Sequence, residues 1–174
     1  MPNTFELIAS STVGSGGATS IDFTSIPSTY TDLVVKYSAR TNRANTNSDI
    51  YLQFNGITTA TYSFKRIFGD GGSASSDGLT NDAKGGFAGN AAGANATSST
   101  FSNSEIYIPN YAGSTAKSWS VDSVAENNSS SAMATLQAGL WSGTAAITSI
   151  KLQDYNAASF VQYTTAYLYG VKNA

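Results

Sequence analysis

A chain of 174 residues suits one domain and is long enough to bury a sizeable core. Charged residues make up only 11 %, about half the usual share, and the formal net charge is -2, which argues against the clustered Lys and Arg that nucleic-acid binding needs. There is no Cys and no His, so disulfides, thiolate chemistry, the commonest general base and the commonest zinc ligand are excluded together.

Taken in chain order, "MPNTFELIASS" lacks a basic region followed by an apolar run and does not read as a signal peptide. No stretch approaches 18 apolar residues, so no membrane insertion is expected. "TDLVVKYSA" then alternates, with Leu33, Val35 and Tyr37 on one face and Asp32, Val34, Lys36 and Ser38 on the other. "DIYLQFN" sets Ile50, Leu52 and Phe54 against Asp49, Tyr51 and Gln53. This period of two is what a sheet with one packed and one wetter face produces. Asn55–Gly56 follows as a turn signal, one of a series that includes Gly14–Gly17, Pro27–Ser28, Gly113–Ser114, Asn127–Ser131, Gly143 and Asn156–Ala158.

Residues 69–102 differ. Leu79, Phe87 and Phe101 are the only large apolar residues in a run of Gly, Ser, Ala and Asn. Such a segment buries little by itself, so a loop or a protrusion ordered by its neighbours is expected there. Alternation resumes in "EIYIP" with Ile106 and Ile108, and in "SWSVDSV", which turns Trp119 and Val121 inward against Ser118, Ser120 and Asp122. "SSSAMATLQAGLW" is readable as a helix, but Ala134, Leu136, Ala138 and Leu140 alternate and favour a strand. "ITSIKLQDY" sets Ile150 and Leu152 against Lys151 and Gln153, and "FVQYTTAYLYGV" reads as one last strand through Val161, Tyr163, Thr165, Tyr167 and Tyr169. Ten or eleven short strands with short links predict an all-β fold: a single antiparallel two-sheet sandwich, jelly-roll-like.

Without His or Cys, catalysis would rest on carboxylates. Asp122 and Glu126 lie four residues apart in a strand, about 13 Å by the usual rise, too far for a retaining glycosidase pair. Asp70, Asp77 and Asp82 miss the calcium-loop spacing and read as turn formers. "GDGG" and "GSGG" lack the Lys and Ser/Thr of a phosphate loop. The chain is therefore read as non-enzymatic, with no catalytic residue, cofactor or metal. The small basic groupings, Arg40 with Arg43 and Lys65 with Arg66, read as solvated strand ends. Ten Tyr residues stand out, and Tyr155, Phe160, Tyr163, Tyr167 and Tyr169 crowd the C-terminal end as a candidate interface, because Tyr buries area at low entropy cost while its hydroxyl stays wet.

The phrases "IPSTYTDLVV", "IYIPNYAG" and "AYLYGVK" resemble a family of small virion structural proteins of marine tailed phages, across nearly the whole chain and most strongly over residues 5–40 and 103–171. The resemblance implies a β-sandwich made in the host cytoplasm and placed in the virion, with the major capsid protein and copies of itself as partners. Capsid decoration or cement, acting between shell subunits, is the expected role. A tail fibre or receptor-binding tip is the alternative, and a carbohydrate-binding module that recognises a host-surface glycan through Trp119, Trp141 or exposed Tyr is another.

Overall fold

The chain alternates polar and apolar residues over short runs because it builds strands, and it closes those runs with residues that tolerate a left-handed backbone. Asn55 and Gly56 illustrate the second point: both have positive φ, 54° and 66°, in the turn that ends the fourth strand. A computed structural model describes residues 4–128 and 131–172. Part of the N-terminal stretch read against a signal peptide, and Ser129 and Ser130 of the Asn127–Ser131 turn signal, lie outside the described residues.

Twelve strands are present among them: β1 (Phe5–Thr12), β2 (Ser20–Phe23), β3 (Asp32–Ser38), β4 (Asn47–Phe54), β5 (Tyr62–Gly69), β6 (Ala74–Asp82), β7 (Gly86–Ala92), β8 (Asn103–Ile108), β9 (Lys117–Ala125), β10 (Met133–Trp141), β11 (Ile150–Asp154) and β12 (Thr165–Val171). The large sheet has the order β1-β12-β3-β8-β9-β10-β5-β6 and the small one β2-β11-β4-β7. Every strand pair is antiparallel. The fold is the all-β, two-sheet, jelly-roll-like sandwich that the periodicity predicts.

Between the sheets lies one main core, in which Phe54, Tyr62, Trp119 and Trp141 meet at centroid distances of 5.6–6.5 Å. Full burial of such side chains contributes about 1.5–3 kcal/mol each. Both tryptophans are core residues, so neither is on hand for a surface ligand. Trp119 crosses from the large sheet to the small one: its Nε1–H donates to Phe87 O at 3.1 Å, and a Cβ at Gly86 or Gly139 would overlap its ring. The two glycines are a slot for the indole.

Residues 69–102 supply β6 and β7 rather than one loop. β7, "GFAGNAA", is buried at every position. Its small side chains let the two sheets approach closely, so β7 packs directly against β9 and β10. Absence of bulk, which reads in sequence as inability to form a core, here permits a close layer. β6 is the opposite case, an edge strand exposed along nearly its whole length and held by its ladder to β5.

The hairpin of β5 and β6 is fixed to the small sheet by Arg66. Its guanidinium lies 4.4 Å from the Phe87 ring centroid and pairs in a fork with Asp77 at 2.6 and 3.0 Å, with Asp49 at 3.5 Å. Arg40 likewise donates to the carbonyls of Ala94, Ala96, Thr97 and Thr100. Neither arginine is the solvated strand-end charge expected. The planar five-donor fork lets Arg40 clasp backbone carbonyls and Arg66 clasp carboxylates over an aromatic ring.

The segment whose alternation favours a strand over a helix is strand β10 from Met133 on. One further expectation is corrected. The last strand starts only at Thr165; Tyr163 sits before it in a turn with φ of 72°.

Candidate functional site

In β9 the large residues face the core, and Ser118, Ser120, Asp122 and Val124 face out. In β10, hydrogen-bonded beside it, the phase is inverted. Thr135, Gln137, Gly139 and Trp141 face in, while Ala134, Leu136, Ala138 and Leu140 face out. The cause is local and checkable. Register places Gly139 opposite Trp119, and only a residue without a side chain leaves room for the indole. Once Gly139 and Trp141 face the core, Leu136 and Leu140 must face solvent.

Ile67 of β5 lies opposite Leu136, and the two are 60 % and 56 % exposed. They form the floor of a groove of about 750 Å³ between Lys65, Gly78, Ser120 and Asp122. It runs into a second hollow of about 720 Å³ that adds Val124 and Ala134. Lys65 stands on the β5 side and Asp122 on the β9 side, and neither has an ion-pair partner among the described residues. An open apolar strip of this kind is a candidate interaction surface.

The other half of the same outer face is tyrosine-rich. Tyr107, Tyr167 and Tyr169 project there around the Lys36–Glu105 pair at 2.7 Å, which raises the Lys36 pKa through that hydrogen bond. The Tyr107 hydroxyl donates to Asp32 Oδ2 at 2.6 Å, and that bond to a carboxylate raises its pKa. Tyr167 and Tyr169 stack at 6.5 Å.

The five C-terminal candidates therefore do not form one face. Tyr167 and Tyr169 share the outer face of the large sheet. Tyr163, 69 % exposed, lies on the turn before β12. Phe160, 1 % exposed, belongs to the core, where its backbone bridges Ala18 and Thr41. Tyr155 follows β11 on the small sheet and packs on Tyr51 at 4.5 Å. Sequence reasoning missed Leu136, Leu140 and Ile67. The signal was the run Thr135-Gln137-Gly139, polar or empty at the alternate positions of β10.

On the outer side of the small sheet a cleft of about 380 Å³ is lined by Ser20, Gln53, Lys84, Lys151, Gln153 and Tyr155, among others. The carboxylates read as turn formers are engaged locally. Asp70 Oδ1 accepts from the backbone N–H groups of Ser73 and Gly72, which lowers its pKa. Asp82 Oδ1 accepts from Lys84 N, and Asp77 holds Arg66. Among the described residues no group of three or more Asp and Glu is placed to hold a metal ion.

No family model matches the chain, and no curated protein matches it. Among solved structures it is similar to a galectin of Caenorhabditis elegans, with 9 % identity and a TM-score of 0.37 over 94 % of this chain and 96 % of that one. It is also similar to domains LG4-5 of the mouse laminin alpha1 chain, with 11 % identity and a TM-score of 0.32 over 91 % of this chain and 40 % of that one. Both likenesses fall below a TM-score of 0.5.

Proposed function

We propose that the chain is a non-catalytic structural component of a virion, a capsid decoration protein that associates with copies of itself through the groove of β5, β9 and β10. The observation that supports self-association is the groove's own layout: an aliphatic strip with a cation, Lys65, on one side and an anion, Asp122, on the other, neither of them ion-paired among the described residues. A copy turned over about an axis oblique to β10, passing midway between Lys65 and Asp122, brings its Lys65 over Asp122 and lays its Ile67 and Leu136 against the same aliphatic strip. Such an isologous contact satisfies both charges at once. The tyrosine half stays free for the shell partner that the sequence resemblance implies. A low-charge surface has few repulsions to overcome in either contact.

Copy number in purified virions, measured by quantitative mass spectrometry against the major shell protein, tests the placement. A ratio near that of the shell protein supports decoration. A few copies per particle moves the protein to the tail fibre or receptor-binding alternative. Absence from virions defeats both. The carbohydrate-binding alternative draws on a separate place, the small-sheet cleft.

A further inference from the structure

The small-sheet cleft is built from both amides and ammonium groups, and its parts are fixed. Gln53 of β4 is 7 % exposed, and its Nε2 donates to Lys84 O at 2.8 Å. Gln153 of β11 donates to the same carbonyl at 3.4 Å. Both amides are thereby oriented, and their Oε1 atoms accept no hydrogen bond among the described residues, although neither is shut away from the surface. Across the cleft the Lys84 ammonium sits 4.0 Å from the Tyr155 ring centroid with no carboxylate partner among the described residues. Lys151 adds a second ammonium, shared with Asp22 at 3.4 Å. Ser20, Thr19 and Thr58 line the same space.

We infer that this cleft is a binding subsite for a neutral saccharide, one sugar unit of a longer chain. Two amide acceptors and two ammonium donors lining one cleft match vicinal hydroxyls, each of which both donates and accepts. The local charge is mixed rather than strongly cationic: Lys151 is paired with Asp22, and Asp82 and Asp154 lie beside the cleft, where Asp82 Oδ1 accepts from the Lys84 backbone N–H and Asp154 Oδ1 from those of Asn156 and Ala158. The volume lies at the lower end of the range for small-molecule sites, so one or two sugar rings suffice to fill it. Recognition is by hydrogen bonds rather than by stacking, because the Tyr155 ring already carries Lys84 and packs on Tyr51. The cleft and the groove are on different sheets, so the site stands whether or not the chain self-associates.

The test is a nuclear magnetic resonance titration of the full chain with cellotriose, maltotriose and tri-N-acetylglucosamine, up to about 10 mM, beyond the millimolar range of weak binding. Saturable shifts of the side-chain amide signals of Gln53 and Gln153 with at least one of them are expected. Gln153→Ala, a change at a part-exposed strand position, should weaken that binding roughly fivefold to tenfold. No saturable shift with any of the three overturns the proposal. So do equal shifts with glycerol, which would mark a simple polyol site, tighter binding of trigalacturonate, which would mark an anion site, or no effect of Gln153→Ala.

Discussion

β9 and β10 are hydrogen-bonded neighbours with equally regular alternation, yet they do opposite things with it. β9 buries its bulky residues, Trp119 and Val121, and shows serines and Asp122 to solvent. β10 buries Thr135, Gln137 and Gly139 and shows Leu136 and Leu140. The difference teaches that period and phase are separate pieces of information. The period belongs to the strand; the phase is set by what the strand meets, here the Trp119 indole resting on Gly139.

The largest expected effect breaks that contrast at its cause. Gly139→Val drives a branched side chain into Trp119 and should cost about 3 kcal/mol or more in urea denaturation. Ala138→Val, one residue earlier and facing out, should change stability by less than about 0.5 kcal/mol. Equal effects of the two would show that the phase assigned to β10 is wrong.

The buried phenols should also declare themselves in alkali. Burial pushes the Tyr62 phenol up to about 12 and raises those of Tyr37 and Tyr51 too. The folded state thus favours the protonated form. That contribution is complete below the ordinary phenol value near 10 and is lost as pH rises from there through the folded value, on the order of 2 kcal/mol for Tyr62. Unfolding free energies measured at pH 9, 10 and 11 should fall over this window. A flat profile would mean that these phenols are solvated.

The outer face of β10 should matter to association and not to folding. Leu136→Asp is expected to weaken self-association more than tenfold in analytical ultracentrifugation while leaving the denaturation midpoint nearly unchanged. Lys65→Asp and Asp122→Lys should each weaken it, and the double exchange should restore it. A monomer that stays monomeric at every concentration would remove the groove from the functional reading.

The smallest effect concerns Gln137, whose buried amide has neither donor nor acceptor satisfied among the described residues. Gln137→Met keeps the volume and removes an unpaired polar group, so stability should be unchanged or rise by about 1 kcal/mol. A clear loss would reveal a partner for the amide.

Much of the fold was legible along the chain. Alternation from Leu33 to Tyr37, at Ile106 and Ile108, and from Trp119 to Val121 marked strands and the correct inward face, because those strands have one apolar and one polar side. The candidate site was less legible. β10 has apolar or small residues on both of its faces, so its pattern does not say which one is covered. The C-terminal tyrosines, close in sequence, were dispersed because a turn at Tyr163 separates the core residue Phe160 from the outward Tyr167 and Tyr169, and Tyr155 was left beside a different sheet.

By itself, then, the sequence determined the strand period, the all-β class and the absence of imidazole and thiol chemistry, since each of these depends only on residues within a few positions or on their count. The tertiary structure decided the outward phase of Leu136 and Leu140, the burial of a Gly- and Ala-rich β7, and the meeting of Gln53, Lys84 and Gln153 in one cleft. These depend on partners far along the chain: Gly86 and Gly139 become a slot only when Trp119 of the strand between them lies across both. Side-chain volume fixes which face a strand must bury only after its neighbours are in place.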